Sequence, residues 1–462
     1  MPSPLSSPRL RRIVAAYTVN RLGTWFGLIA LSVAVFDHTH SAVAVAALFV
    51  AAQALPAFVV PALVARVEAS TRRGELSALY AFEAITTAAL AGLLLWHFML
   101  PVLLLLVALD AIAALVASSL LRAAAARCAR EWGQVEGADL QEAERRANAA
   151  LNIGFAVTFI LGPALAGVVV AALGSPAALF IDVASFAICG AMLLDLRPHV
   201  EDAESSSVGA RVRAAWEHIK TVPALRGLLL AEAVALVFFT FSPPVEVAYA
   251  KATLGAGDLG YGLLLGAWGL GVGIGSIVFA RAIKRSLGLL LSVSTLAVGL
   301  AYLGWALAPS LEVACAVGLI GGIGNGVQWA ALISAVQGLT PQKLHGQLMG
   351  AVESLGAICP AVGLSLGGAI AALSSPRGAF LVAGLGASLI TVAFVRLPLG
   401  AVEQRGVPRA GPEQTSAVSA IGSPVVEVAG AERAGGSAAS SSAASLRRPP
   451  HEPTEPARTR SS

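Results

Sequence analysis

Twelve apolar runs, each long enough to cross a lipid bilayer, follow one another through most of this chain. They cover residues 13–36, 41–64, 75–95, 100–121, 148–173, 177–196, 225–248, 260–280, 286–307, 311–337, 347–373 and 377–396. A membrane-spanning helix needs about 20 mostly apolar residues. Lipid offers the backbone no hydrogen-bond partners, so such runs fold as helices. A water-soluble alternative has nowhere to hide them. Charged residues make up 13% of the chain and hydrophobic ones 56%, against about 25% charged in soluble domains. The fold class read from the sequence is therefore all-α and integral to the membrane. The basic start, MPSPLSSPRLRR, precedes a run too long for a signal-peptide core, so the first run reads as an uncleaved helix.

Orientation follows from the basic residues, which collect on the cytoplasmic side of membrane proteins. With both termini inside, the inner loops hold Arg66, Arg72, Arg73, Arg122, Arg127, Arg130, Arg145, Arg146, Arg197, Arg211, Arg213, Lys220, Arg281, Lys284, Arg285 and Lys343. The outer loops hold Lys251 and Arg377, with the acids Asp37, Glu246, Asp258 and Glu312. The chain divides into a cytoplasmic segment (1–12), a six-helix bundle (13–196), a cytoplasmic linker (197–224), a second six-helix bundle (225–396) and a tail (397–462). The tail is rich in Ala, Ser, Gly and Pro and lacks the apolar surface needed to fold, so it is expected to be disordered.

Several function classes drop out. A net charge of +4 gives no nucleic-acid surface. The four cysteines, Cys128, Cys189, Cys315 and Cys359, are scattered and form neither a disulfide framework nor metal spacing. GLGVGIG (269–275) imitates a dinucleotide fingerprint but lies inside a spanning run with no strand before it. His38 and His40 have no cysteine or carboxylate company that would make a metal site. No nucleophile–base constellation suggests an enzyme.

The halves repeat. AALGSPAALF (171–180) matches AALSSPRGAF (371–380), with the two prolines 200 residues apart. LGPALAG (161–167) is echoed by CPAVGLSLGG (359–368), and VARVEASTRR (64–73) by FARAIKR (279–285). Repeated halves with a site between them are the architecture of secondary transporters. On these motifs the chain resembles the major facilitator superfamily over roughly residues 10–396, within an efflux branch that includes macrolide and enterobactin exporters. GPALAG, with Gly162, Pro163, Ala166 and Gly167, is similar to the helix-5 antiporter signature, one Gly being replaced by Ala166. NRLGTW (20–25), ERRANAALN (144–152), FIDVASF (180–186), GYGLLLGAWGLG (260–271) and QGLTPQKLHGQLMG (337–350) resemble further motifs of the branch. The loop PALVARVEASTRR (61–73) departs from it: Ala65 replaces an Asp that helps latch the halves, while Arg66, Arg72 and Arg73 remain.

Ionisable groups inside spans are costly and mark function by default. These are Arg21, Glu83, Asp110, Asp182, Glu232 and Glu353. Asp110 lies near the middle of the fourth run; the resemblance puts that helix on the cavity and makes Asp110 the first candidate for proton binding. Arg21 and Glu232 sit at equivalent depths in the two repeats and are expected to meet at the half interface, or else to reach separately for the inner headgroups. Glu83 is expected to pair with the basic loop, with Arg66 as the named partner, and Asp182 to play a structural part. Glu353 lies near the cytoplasmic end of the eleventh run. Asn325, Gln328 and Trp329 are candidate polar cavity residues, with helix packing as an equal alternative.

The reading is a monomeric, multi-pass plasma-membrane transporter in contact with lipid. It exports a small hydrophobic or amphipathic molecule by alternating access, driven by a proton gradient and without a cofactor. Two rivals stay open: uptake of a nutrient by the same fold, and a transporter-fold sensor that works through its tail.

Overall fold

The computed structural model describes residues 4–53, 56, 75–137, 139–196, 208–282, 285–341 and 344–397. Proline sets where many helices begin, since its fixed φ suits the first turn and its missing N–H is not needed there. It occupies the first or second position of α1 (Pro8–Thr39), α4 (Leu100–Glu136), α6 (Ser175–Met192), α8 (Pro223–Phe239), α9 (Ser242–Ala248) and α14 (Pro376–Val395). The remaining helices are α2 (Ala42–Gln53), α3 (Glu75–Trp96), α5 (Leu140–Leu173), α7 (Val208–Thr221), α10 (Gly257–Arg281), α11 (Leu287–Leu307), α12 (Leu311–Leu339) and α13 (His345–Leu373). No strand occurs among the described residues. Among the described residues, ten helical segments are long and apolar enough to cross a membrane, α8 and α9 counting as one segment, Pro223–Thr253. The apolar stretches Ala42–Gln53 and Ile358–Leu373 are shorter. Each of the twelve runs of the sequence overlaps one of these segments, the second only up to Gln53, beyond which most of it lies outside the described residues.

The helices pack in two groups. In the first, α1 lies against α5 and α6, α3 against α4 and α6, and α4 against α5. In the second, α10 packs on α12, α11 on α12 and α14, and α8 on α13 and α14. The groups meet chiefly where α5 crosses α10, with a smaller contact between α1 and α9. An apolar core joins them there. It includes Phe26, Ile29, Val33 and Ala166 of the first group with Val247, Ala248, Tyr261 and Leu364 of the second.

Three details differ from the reading of the sequence. The linker contains a helix, α7, whose Ile219 is buried in the second group's core. One ring nitrogen of its His218, Nε2, lies 3.2 Å from the Leu339 carbonyl. Trp216 is 57% exposed, with the Lys220 ammonium 5.3 Å from its ring centroid. The seventh run is not one helix: it breaks at Thr240–Phe241 and ends in a π-helical turn, Tyr249–Thr253. Glu246 therefore lies in a helix, 6% exposed, rather than in an outer loop. Arg66, Arg72, Arg73, Lys343 and the tail beyond Leu397 lie outside the described residues, as do the side chain of Glu353 and residues 197–207 of the linker.

At the end of the molecule that carries the linker, Arg12 clasps Asp195, just past α6, through two contacts of 2.6 and 2.8 Å. The bonded guanidinium holds the Asp195 carboxyl below the usual carboxylate range. A lowered carboxyl stabilises the fold above its unfolded value and loses that contribution as pH falls through its folded one. Both groups are solvent-exposed, so the effect is small. Asp195→Asn is expected to lower the melting temperature slightly at neutral pH. The difference from the parent protein should vanish in acid, which melting curves across pH would show.

Candidate functional site

Small residues on α1 open the first site. Gly23 and Gly27 lie one turn apart, and the Asp182 carboxylate of α6 rests against the bare backbone they expose. A Cβ at Gly23 would stand 2.5 Å from Asp182 Oδ1, and one at Gly27 would collide with Oδ2. Ser185 donates to the Asp182 carbonyl oxygen (2.8 Å) and also lies within reach of its side chain (3.3 Å). Beside them on α3, Glu83, Thr86 and Thr87 share one face, since residues three and four apart are neighbours on a helix. Thr86 donates to Asp110 of α4, and Thr87 lies 3.4 Å from the same oxygen. Asp110 is half-buried, Asp182 is 4% exposed and Glu83 is completely buried. Glu83 senses the charges of both aspartates and of Arg21.

Arg21 is buried between aromatic faces, 5.3 Å from the Tyr17 ring and 5.5 Å from the Phe155 ring. Such guanidinium–π contacts favour a cation withdrawn from water. Arg122 of α4 stands 5.4 Å from the same Tyr17 ring and donates to its hydroxyl at 2.9 Å. The first helix group thus gathers three acids, on α3, α4 and α6, with Arg21 of α1 beside them and Arg122 of α4 at the same Tyr17 ring.

The second group holds its own buried acid. Gln328 of α12 donates to Glu232 Oε2 of α8 at 2.6 Å, and Glu232 is completely buried. Asn325, Gln328 and Trp329 are buried too. The structure does not unite Arg21 with Glu232: each is held by residues of its own group. Glu246 of α9 accepts from Ser242, with Tyr261 and Tyr302 close enough to sense its charge.

The Gly-Pro of α5 lies on the seam between the groups. Pro163 has no N–H, so the Phe159 carbonyl four residues earlier loses its helical donor. Gly269 of α10 covers that carbonyl: a Cβ there would lie 2.8 Å from the Phe159 oxygen. About two helical turns away along α10, Gly262 meets Gly167 backbone to backbone. A Cβ at Gly167 would stand 2.8 Å from Gly262 Cα, and one at Gly262 would stand 2.7 Å from the Pro163 carbonyl oxygen. Gly162 makes room for Trp25 of α1, and Ala166 is buried. A second seam joins α13 to α2, where a Cβ at Gly368 would lie 2.6 Å from Ala46 Cβ. At the end remote from the linker, Lys251 of the π-turn reaches Asp37 of α1 (2.6 Å) and Asp258 of α10. Among the described residues no group of acids, histidines and cysteines is arranged to hold a metal ion.

A family described as transmembrane secretion effector matches residues 2–425 of this chain. Solved structures agree in fold. The nucleoside transporter NupG superposes with a TM-score of 0.67 at 12% identity, covering 85% of this chain and 99% of that one. A bacterial homologue of the iron transporter ferroportin, in an inward-facing state, gives 0.63 at 16% identity, over 84% and 98% of the two chains. A bacterial homologue of the human lysosomal transporter Spinster, inward-facing and unoccupied, gives 0.57 at 13% identity, over 87% and 98%. No curated protein matches the sequence. The chain is a major facilitator transporter of the secretion-effector family.

Within this transporter, the two seams and the Lys251 bridge join one helix group to the other. Two residues near these contacts, Lys251 of the bridge and the buried Glu246, were not singled out by reading the sequence. Lys251 and Glu246 follow Pro243-Pro244 at the end of an apolar run, which reads as a loop. The signal that marks them is the break itself: discontinuous helices in transporters border functional sites, and π-turns cluster there.

Proposed function

We propose that this transporter exports a small hydrophobic or amphipathic molecule in exchange for protons, as a monomer of the plasma membrane with both termini cytoplasmic. Asp110 carries the reading. It is the least buried acid of its cluster, it stands on a helix that contributes to the first half's core, and two threonines lie against its carboxyl group. The antiporter-like Gly-Pro of α5, seated on the closing seam, favours exchange over uptake. The distribution of arginine and lysine supports a linker on the inner side. The end sealed by Lys251 then faces outward, and the cavity opens toward the cytoplasm to receive its cargo. Rocking the halves exposes Asp110 alternately to the two sides. A ligand shifts such an equilibrium only by its difference in affinity for the two states, so a proton that binds one state more tightly drives the cycle.

The test is accumulation of a panel of lipophilic dyes and antibiotics in a pump-deficient host, with and without an uncoupler. Expression is expected to lower accumulation of some compound. The uncoupler and Asp110→Asn are each expected to abolish that effect. Normal efflux by Asp110→Asn, with unchanged dependence on the pH gradient, would overturn the role of Asp110. Raised accumulation would indicate uptake. Loss of output on deleting residues 401–462, with no flux in either direction, would indicate a sensor.

A further inference from the structure

Around Glu83 the acids outnumber the cation. Glu83, Asp110 and Asp182 lie near enough to sense one another, and Arg21 is the cation whose charge Glu83 feels. The groups that face Glu83 are Arg21 with Tyr17 beyond it on α1, Tyr80 on its own helix, Asp110 on α4, and Asp182 and Cys189 on α6. Neither carboxylate oxygen of Glu83 has a hydrogen-bond partner among the described residues, although the side chain is completely buried. The Tyr80 hydroxyl and the Asn20 side-chain oxygen are likewise buried without one among the described residues. An ionised carboxylate in such a place is normally bonded by two or three donors, and an unpaired buried charge costs several kcal/mol. Three ionised acids against one guanidinium would leave two such charges inside a membrane bundle, where ionisable groups are dearer still.

We propose that Glu83, Asp110 and Asp182 form one shared proton site that carries two protons when the outer end is closed. Asp110, half-buried, exchanges protons with solvent. Glu83, wholly buried and on the same helix face as the threonines that hold Asp110, stores one. Arg21 balances the remaining charge. Each step moves one proton between carboxylate oxygens or between Asp110 and water, and no other bond changes. The site's existence stands on this geometry; its use as the coupling element rests on the proton-driven export proposed above.

Infrared difference spectroscopy on the full chain in phosphatidylethanolamine–phosphatidylglycerol vesicles reads the site directly. At neutral pH the parent protein is expected to show carbonyl bands of protonated carboxyl groups. Glu83→Gln is expected to remove one band and shift its neighbours, because the protons are shared. Asp110→Asn is expected to slow deuteration of the remaining bands severalfold. The proposal is overturned if Glu83→Gln removes only ionised-carboxylate intensity and leaves every protonated band in place. Glu83 would then be an ion-paired group, with Arg21, the cation whose charge it feels, as its partner. Should Glu83→Gln not fold, Asp182→Asn reads the same cluster: shifted bands support sharing, and unmoved bands overturn it. The transport assay fails separately. Uncoupler-insensitive efflux with the band loss intact keeps the shared site and removes its coupling role. Uncoupler-sensitive efflux without band loss leaves coupling to Asp110 alone.

Discussion

Gly262→Leu is expected to cost this transporter nearly all of its flux while leaving it folded in the membrane. At Gly262 even a methyl group would lie 2.7 Å from both Gly167 Cα and the Pro163 carbonyl oxygen, and a backbone cannot step aside as a side-chain end can. Small residues let transmembrane helices approach this closely; a leucine would force α5 and α10 apart. Overpacking a fitted contact costs about 1–3 kcal/mol, and every ~1.4 kcal/mol is tenfold in an equilibrium. The closed state therefore falls roughly tenfold or more relative to states with the seam parted. Ser32, completely buried near this end, gives the readout. With the native cysteines replaced, Ser32→Cys should react with an impermeant maleimide added outside only when the seam opens, and Gly262→Leu should raise that reactivity. Gly356→Ala is the control, because nothing lies within 4 Å of a Cβ there. Unchanged flux and labelling in Gly262→Leu would mean that α5 and α10 do not form the closing contact.

Lys251→Gln is expected to have the next largest effect, by a different route. The ammonium sits between Asp37 of the first half and Asp258 of the second. Without it, two carboxylates face each other across the gap. The lysine is 18% exposed and the acids 46% and 24%, so the bridge is intermediate between a surface pair, worth up to about 1 kcal/mol, and a buried one, whose disruption costs about 3–5 kcal/mol. A shift of roughly tenfold toward the outward-open state follows. Asp37→Asn in the same chain should recover part of it, since it removes the repulsion that Lys251→Gln leaves behind. Coupled residues give such non-additive cycles. Strictly additive effects of the two substitutions on Ser32→Cys labelling would show that the bridge does not hold the halves together.

Much of the fold was legible in the sequence, because a bilayer demands long apolar runs and the chain supplies them between prolines and basic loops. The α5 motif was legible for a related reason: a Gly-Pro in a spanning run has to be accommodated by a neighbouring helix, and Gly269 and Gly262 of α10 do so. What a linear reading hides is convergence. Glu83, Asp110 and Asp182 stand on three helices, and their meeting depends on Gly23 and Gly27 of a fourth. Repeat symmetry suggested that Arg21 and Glu232 would pair across the interface. Instead Arg21 is taken up by the Tyr17 and Phe155 rings and Glu232 by Gln328, each within its own helix group. Glu246 and Lys251 were placed in a loop because helix breaks and helix ends leave the same trace in hydropathy.

The carbonyl that Pro163 frees at Phe159 has a consequence for how the halves part. While the seam is shut, the weak approach of Gly269 Cα–H shelters that oxygen. Once α10 withdraws, the oxygen is left bare in the middle of a membrane protein, where an unsatisfied backbone group is costly. Water must follow the retreating helix. Opening is thus a wetting step as well as a rotation, and its rate should fall when osmolytes lower the activity of water on the side toward which the seam parts.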